Sequence, residues 1–329
     1  MGGSEDGALV VDLRAFKAVN VGEDGTAQVG AGTTLGLVAL KLNDLGLGLP
    51  HGTCRELLCP CVRCALYAHR ISQAWVGVGG HTSYGGFGYA GRKYGLLVES
   101  VVAFDVVLSN GSVISKLTRA VDKDLFWALK GSAGSFAIVT HFYFRPFKTP
   151  AVATTYSYAW DGSLSSGQAA KLFLAWQKFG ATAAPPELGI VLSVFKPAKV
   201  DIRGTFYGTA QQLERVLHPL FESFPKGFKK DVQQGGWIDS LNYHSGGVPL
   251  DSAGSSDSQN DFYVKSLMTP ANKPLTPGSV AAFFDYLFKS TTSTNWFCES
   301  LKYDESSHSH QLPQSKRSST EGRVPPSTS

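Results

Sequence analysis

The chain has 329 residues, of which 43% are hydrophobic and 17% charged, a balance typical of a globular protein with enough chain for two domains. Its formal net charge of +4 is too small to indicate a nucleic-acid partner. No apolar run reaches the ~20 residues of a membrane span, and the first residues lack the basic and apolar regions of a signal peptide, so we expect neither a membrane anchor nor an export signal in the sequence as given.

The strand patterns of the first 150 residues are short and β-branched. Asn110 and Gly111 lie between two such runs, which predicts a hairpin turn. This explains the Asn-Gly-Ser triplet more simply than a glycosylation sequon does. The predicted strands of this region cover residues 10–13, 27–30, 101–108, 113–114 and 138–144.

Two helices are predicted between these strands. Thr33 or Thr34 can cap the first, which runs through about Leu45 with leucine and valine at helical spacing. Asp122 can cap the second, over residues 123–130, and Gly131 is expected to end it.

From residue 151 onward, alternating strand patterns combine with two longer helix patterns. Helices are predicted over 167–179 and 209–224, strands over 154–160, 189–195, 203–207 and 262–268, and a polar surface loop over 252–260. The sequence therefore predicts an α+β fold in which a second domain, built on an antiparallel sheet, follows the first near residue 148.

The most informative stretch is GGHTSYGGFGY at residues 79–89, which follows LPHGTC at residues 49–54. Five glycines in residues 79–88 allow positive φ angles and let the backbone lie against a large flat ligand. The thiolate of Cys54 can attach to such a ligand covalently. A small buried cysteine is the alternative interpretation of this residue.

The order of LPHGTC, VGVGGHTSYGGFGYAGRKYGL, DVVLSNGSVI, DLFWALKGSAGSFAIVT and FYVKSLM resembles the berberine bridge enzyme-like flavoproteins, members of the vanillyl-alcohol-oxidase-like superfamily, and among them the fungal oligosaccharide oxidases. The resemblance runs from about Gly7 to Trp296. It implies FAD as cofactor, a partial PCMH-type FAD-binding domain over residues 1–148, and a substrate domain of antiparallel sheet plus helices over residues 149–296.

The resemblance also implies the residues that contact the cofactor. Cys54 is expected to form a thioether to carbon 6 of the flavin, and the glycines to present backbone N–H groups to the pyrophosphate or to flavin N1 and O2. The implied cofactor-binding residues are Cys54, Gly77, Gly79, Gly80, His81, Gly85, Gly86, Gly88, Gly134, Ser135, Ile138 and Val139. His81 is equally interpreted as a loop histidine bonded to backbone, and Ile138 and Val139 as core strand residues.

The reaction that the resemblance implies is oxidation of a sugar hemiacetal, with hydride transfer to flavin N5 and reoxidation by O2 to give H2O2. The substrate is then an oligosaccharide and the location extracellular. Oxidation of a secondary-metabolite alcohol and a non-catalytic flavin-fold remnant are the alternatives. Four aromatic residues of the second domain can stack on sugar rings or form core: Trp160, Tyr207, Trp237 and Tyr243.

Several features depart from the family pattern. Residues 55–74 separate Cys54 from the glycine-rich motif, and we interpret them as an insert, such as a translated intron. Residues 297–329 are polar and predict a disordered tail. The family's flavin-linked histidine and catalytic base have no counterpart, so the catalytic residues are unknown and impaired activity is expected. Cys59, Cys61 and Cys64 lack a fourth ligand in a defined pattern, which argues against a metal site.

Overall fold

The structure, a computed structural model, describes residues 10–52, 76–162, 164–195, 199–246, 249–251, 269, 272–289 and 296–299. Cys54, the predicted insert, the predicted loop at 252–260, the strand at 262–268 and residues beyond 299 lie outside the described residues. The first half of the chain, residues 10–148, contains β1 (Val19–Val21), β2 (Ala27–Gly30), α1 (Leu35–Asn43), β3 (Leu47–Gly48), α2 (Val78–Ser83), α3 (Gly91–Tyr94), β4 (Val101–Val107), β5 (Val113–Leu117), α4 (Lys123–Phe136), β6 (Ile138–Phe144) and β7 (Phe147–Lys148).

Five strands of the first half form an antiparallel sheet in the order β1-β2-β6-β4-β5. One face of this sheet is apolar and packs with α1 and α4 into a core that includes Val29, Phe104 and Phe142. The predicted hairpin is confirmed, because β4 pairs with β5 and Gly111 has a φ of +83°.

The predicted strand at residues 10–13 is wrong. The Asp12 carboxylate accepts hydrogen bonds from the backbone and side chain of Arg14, and the Phe16 N–H donates to the Leu13 carbonyl. These local bonds turn the chain and leave Val10 and Val11 exposed. The first strand therefore begins only at Val19.

The second predicted helix is capped as expected but runs further. The Asp122 carboxylate accepts from the N–H groups of Asp124 and Leu125, at 3.0 and 2.9 Å. Gly131 does not end the helix; the non-helical residue is Ser132, and one further turn continues to Phe136. The break that the glycine predicts is thus a kink rather than an end.

The second half of the chain contains β8 (Ala153–Asp161), α5 (Ser166–Thr182), β9 (Leu188–Phe195), β10 (Lys199–Phe206), α6 (Ala210–Phe221), β11 (Lys229–Gly235), α7 (Trp237–His244), α8 (Pro277–Lys289) and β12 (Trp296–Glu299). Its strands form an antiparallel sheet in the order β11-β8-β10-β9-β12. One face packs against α5, α6 and α8 in a core that includes Tyr156, Tyr158 and Trp160. The predicted tail at 297–329 begins inside β12, so its first three residues belong to the sheet.

The two halves are held together by buried contacts. The Arg92 guanidinium of α3 donates to the carbonyl oxygens of Gly180 and Ala184 at the carboxyl end of α5. Here Arg92 supplies the cation that helix carbonyls favour. The backbone of Tyr89 lies directly against Gly189 of β9. A third apolar cluster, centred on Trp237 and α1, completes the joint.

Replacing Gly189 by alanine is expected to destabilise this joint by about 2–3 kcal/mol, because the new Cβ would lie closer than 3.0 Å to the Tyr89 carbonyl and backbone must move. Gly167→Ala is the matched control, since nothing lies within 4 Å of its Cβ position in the first turn of α5. The control is expected to be neutral or stabilising by up to about 1 kcal/mol. Urea unfolding measures both, and equal stability of the two variants would contradict this packing.

Candidate functional site

Two imidazoles hold Gly52 from opposite sides. The Gly52 N–H donates to Nε2 of His81 at 2.8 Å. The Gly52 carbonyl accepts from Nδ1 of His51 at 3.0 Å. Because a carbonyl only accepts and an amide N–H only donates, the proton of His51 lies on Nδ1 and that of His81 also lies on Nδ1. His81 is therefore neutral, because its Nε2 carries no proton, and His51 is protonated on Nδ1.

Two further glycines close around these imidazoles. We call His51, Gly52, His81, Gly86 and Gly88 together the His81 cluster. A Cβ on Gly88 would lie closer than 3.0 Å to the His51 carbonyl, and one on Gly86 closer than 3.0 Å to the Leu97 side chain. Gly86 also has a φ of +75°. Gly88 thus meets the His51 backbone at a distance that only glycine permits, and Gly86 has a left-handed backbone against the Leu97 side chain.

Burial sets the charge of the cluster. The pKa of His81 is lowered to about 4, mainly by burial and to a smaller extent by the neighbouring His51. Burial likewise lowers the pKa of His51, although its hydrogen bond to Gly52 opposes the shift. Protonation of His81 on Nε2 would remove the acceptor that Gly52 uses. The cluster therefore requires a neutral His81.

The other predicted glycines lie in and around α2. Gly77 and Gly80 are exposed and have open space where a Cβ would be. The N–H of Gly79 donates to the Ala31 carbonyl, and that of Gly85 to the Thr82 carbonyl, each at 3.2 Å. These two amides bond within the protein, which differs from the expectation that they face a ligand.

The second predicted segment runs from the end of α4 into β6. Gly134, Ser135 and Ile138 are exposed, whereas Val139 is buried in the core of the first half. The core interpretation therefore holds for Val139 and not for Ile138. Because α2 packs against α4, this segment lies beside the glycine-rich one.

Large apolar side chains are exposed in both segments. Tyr84 and Phe87, which follow α2, are 64% and 48% exposed. Phe136 at the end of α4 is 53% exposed, and Ile138 at the start of β6 is 38% exposed. We call the exposed side of residues 77–87 and 134–138 the α2–α4 face. Exposed apolar side chains in two adjacent segments are typical of a surface that another molecule covers.

The four aromatic residues of the second half do not form an open groove among the described residues. Trp160 is fully buried and donates to the Pro225 carbonyl, and the Tyr243 hydroxyl donates to Asp231. Tyr207 and Trp237 are buried at the joint between the halves, where they line a cavity of only about 10 Å³. The core interpretation is correct for Trp160, and this cavity is too small for a sugar ring.

His51 is the member of the site that the motifs did not single out. Its position in LPHGTC, beside the Gly-Thr-Cys run, was the available signal. Cys54 lies outside the described residues, two positions after Gly52.

The described helices include none long and apolar enough to cross a membrane. Within the described ranges, no three His, Cys, Asp or Glu side chains come together as metal ligands.

Comparison with known proteins identifies relatives of one kind. No family model matches the chain. Glucooligosaccharide oxidase of Sarocladium strictum is 31% identical over 294 residues, which are 88% of this chain and 53% of that protein. Berberine bridge enzyme-like 11 of Arabidopsis thaliana is 32% identical over 249 residues, or 72% of this chain and 43% of that protein.

Solved structures agree with the sequence relatives. Glucooligosaccharide oxidase from Acremonium strictum, described with 6-S-cysteinyl, 8α-N1-histidyl FAD, has a TM-score of 0.73 and 28% identity, over 86% of this chain and 55% of that one. The chain spans about half the length of the curated relatives it matches. Sequence and fold together make it a homologue of the berberine bridge enzyme-like FAD-linked oxidoreductases, the family indicated by its glycine-rich motifs.

Proposed function

We propose that the protein is a FAD-dependent oxidoreductase that oxidises the hemiacetal of an oligosaccharide, with O2 as electron acceptor and H2O2 as product. The observation that carries the proposal is the α2–α4 face. It combines exposed aromatic and aliphatic side chains with small residues, in the two segments that resemble the flavin-binding motifs of the family. The oligosaccharide oxidases among the relatives support the substrate class. We extend the proposal to an extracellular location.

The α2–α4 face offers what a flavin requires. Gly77 and Gly80 leave room for a ligand to approach the backbone, and Tyr84, Phe87 and Ile138 offer apolar contact to a flat ring. FAD, when bound, supplies the hydride acceptor for the substrate C–H bond. The protein then has to orient the ring and exclude water from it. We assign no described residue as the general base.

Next to this face, the His81 cluster serves a positioning role in the proposal. His51 and His81 together fix both polar groups of Gly52, which stands two positions before Cys54 in the sequence. A backbone held from both sides restricts where the following residues lie. This supports Cys54 as the thiol that forms a thioether with carbon 6 of the flavin. We assign no residue to the histidyl linkage, and we do not transfer it to His81.

Purified protein supplied with FAD during folding is expected to be yellow and to retain flavin after acid precipitation, because a thioether survives denaturation. Cys54→Ala is expected to lose the acid-stable flavin while keeping dissociable FAD. Cys298→Ala, at a cysteine of β12 in the other half, is the matched control and should retain acid-stable flavin. Acid-stable flavin in the Cys54→Ala variant would contradict the linkage, and a colourless wild type that takes up no FAD would contradict the proposed function.

The same preparation separates the candidate substrates. Peroxide release with cello- or malto-oligosaccharides is the expected result. Release with aromatic alcohols alone would favour the alcohol-oxidase alternative and contradict the carbohydrate proposal. Bound flavin without peroxide from either class would identify a flavin-fold remnant. Each outcome is measured by a peroxidase-coupled assay on flavin-loaded protein.

A further inference from the structure

A small cavity lies where the two halves of the chain meet. His51 approaches it from the first half, and Thr205, Trp237 and Ser240 approach it from the second. Its volume of about 10 Å³ is close to the minimum needed to hold a single water molecule. The cavity is therefore outside the α2–α4 face and too small for an organic ligand.

Two buried nitrogen atoms of the cavity lining have complementary chemistry. Nε2 of His51 and Nε1 of Trp237 are buried, and within the described part of the chain neither has a hydrogen-bond partner. His51 carries its proton on Nδ1, so its Nε2 is a lone-pair acceptor, whereas the indole N–H of Trp237 only donates. Leaving either group buried and unpaired destabilises the fold. The two rings lie edge-to-face with centroids 6.3 Å apart.

We propose that one water molecule binds in this cavity, accepting a hydrogen bond from Trp237 Nε1 and donating one to His51 Nε2. A single water satisfies both atoms because it is a donor and an acceptor at once. The Ser240 hydroxyl donates to the Trp237 carbonyl, so its lone pairs are available for the second water proton. The Thr205 hydroxyl also belongs to the lining and is hydrogen-bonded to Nε2 of His244 at 2.7 Å.

The bound water gives His51 a defined role as a positioning residue. One nitrogen of its ring holds the Gly52 carbonyl, and the other is linked through water to α7 of the second half. The water therefore couples the joint between the halves to the His81 cluster. It also keeps the proton of His51 on Nδ1, the tautomer that the Gly52 contact requires.

A double-mutant cycle on the full chain tests the water site. His51→Asn preserves a donor near Nδ1 and removes Nε2, and Trp237→Phe removes the indole N–H and keeps an aromatic ring. Because either change alone removes the bridge, we expect the double variant to unfold little more easily than the single ones, with a coupling of at least about fivefold in the unfolding equilibrium constant. Coupling below about fivefold would overturn the proposal.

Trp176 provides the matched control. Its indole nitrogen is likewise buried without a partner in the described residues, but it lies on α5 and outside the cavity lining. Trp176→Phe and His51→Asn are therefore expected to act additively. A high-resolution crystal structure of the wild type gives a second readout independent of variant folding. It should show a density peak about 3 Å from both His51 Nε2 and Trp237 Nε1, and a map without that peak would overturn the proposal.

Discussion

Gly88→Ala is expected to destabilise the protein by about 3 kcal/mol or more, one of the largest effects of a single methyl group in this chain. The added Cβ would lie closer than 3.0 Å to the His51 carbonyl and at 3.0 Å from the Cα of Gly52. Both neighbours are backbone, so no side-chain rotation relieves the contact. The His81 cluster would have to open, and the Gly52–His81 hydrogen bond would be lost.

Gly80→Ala is the matched control for this prediction. Gly80 lies in α2 within the same glycine-rich stretch, but it is exposed and its Cβ position is open. Alanine favours helix over glycine by about 1 kcal/mol, so the control should be as stable as the wild type or slightly more so. Denaturant unfolding of both variants measures the difference. A Gly88→Ala variant as stable as Gly80→Ala would mean that the cluster is not packed as described.

Acidification is expected to weaken the folded protein through the His81 cluster. The pKa of His81 is about 4 when folded and 6.5 in the unfolded reference. Between these values the unfolded chain binds the extra proton, so stability is fully present above pH 6.5 and is lost as the pH falls toward 4. The loss from this residue reaches up to about 3 kcal/mol. The lowered pKa of His51 acts in the same direction.

His81→Gln separates this effect from other titrating groups. The glutamine carbonyl can accept the Gly52 N–H without titrating, so the fold is retained while the histidine proton is removed. Unfolding free energies at several pH values between 4 and 7 should fall less steeply for this variant than for the wild type. Equal slopes would show that His81 is not a buried neutral histidine.

Local sequence signals predicted much of the fold because their chemistry is local. The Asn110-Gly111 turn and the Asp122 cap depend on residues within three positions of each other, and both are as expected. The strand expected at 10–13 failed for the same reason, since the bonds between Asp12 and Arg14 outweigh the β-branched pattern. At Gly131 the helix continues past the expected end, because packing of α4 against α2 and the sheet overrides propensity.

The candidate site was predictable only in part, because its contacts join distant segments. The glycine-rich motif pointed to Gly86, Gly88 and His81. Their partner His51 lies before the inserted residues in the sequence, so no local pattern links it to the motif. Likewise, Tyr207 and Trp237 are aromatic residues of the kind that stack on sugar rings. The structure buries them at the joint, a placement set by long-range packing of α7.

The central claim is that the α2–α4 face binds the flavin, and amide hydrogen exchange tests it most directly. Exchange is measured on the purified full chain before and after addition of FAD. Protection is expected in residues 77–88 and 134–139, and none in α6, whose buried leucines pack in the core of the second half. Unchanged exchange in both glycine-containing segments, or protection confined to the second half, would contradict the account.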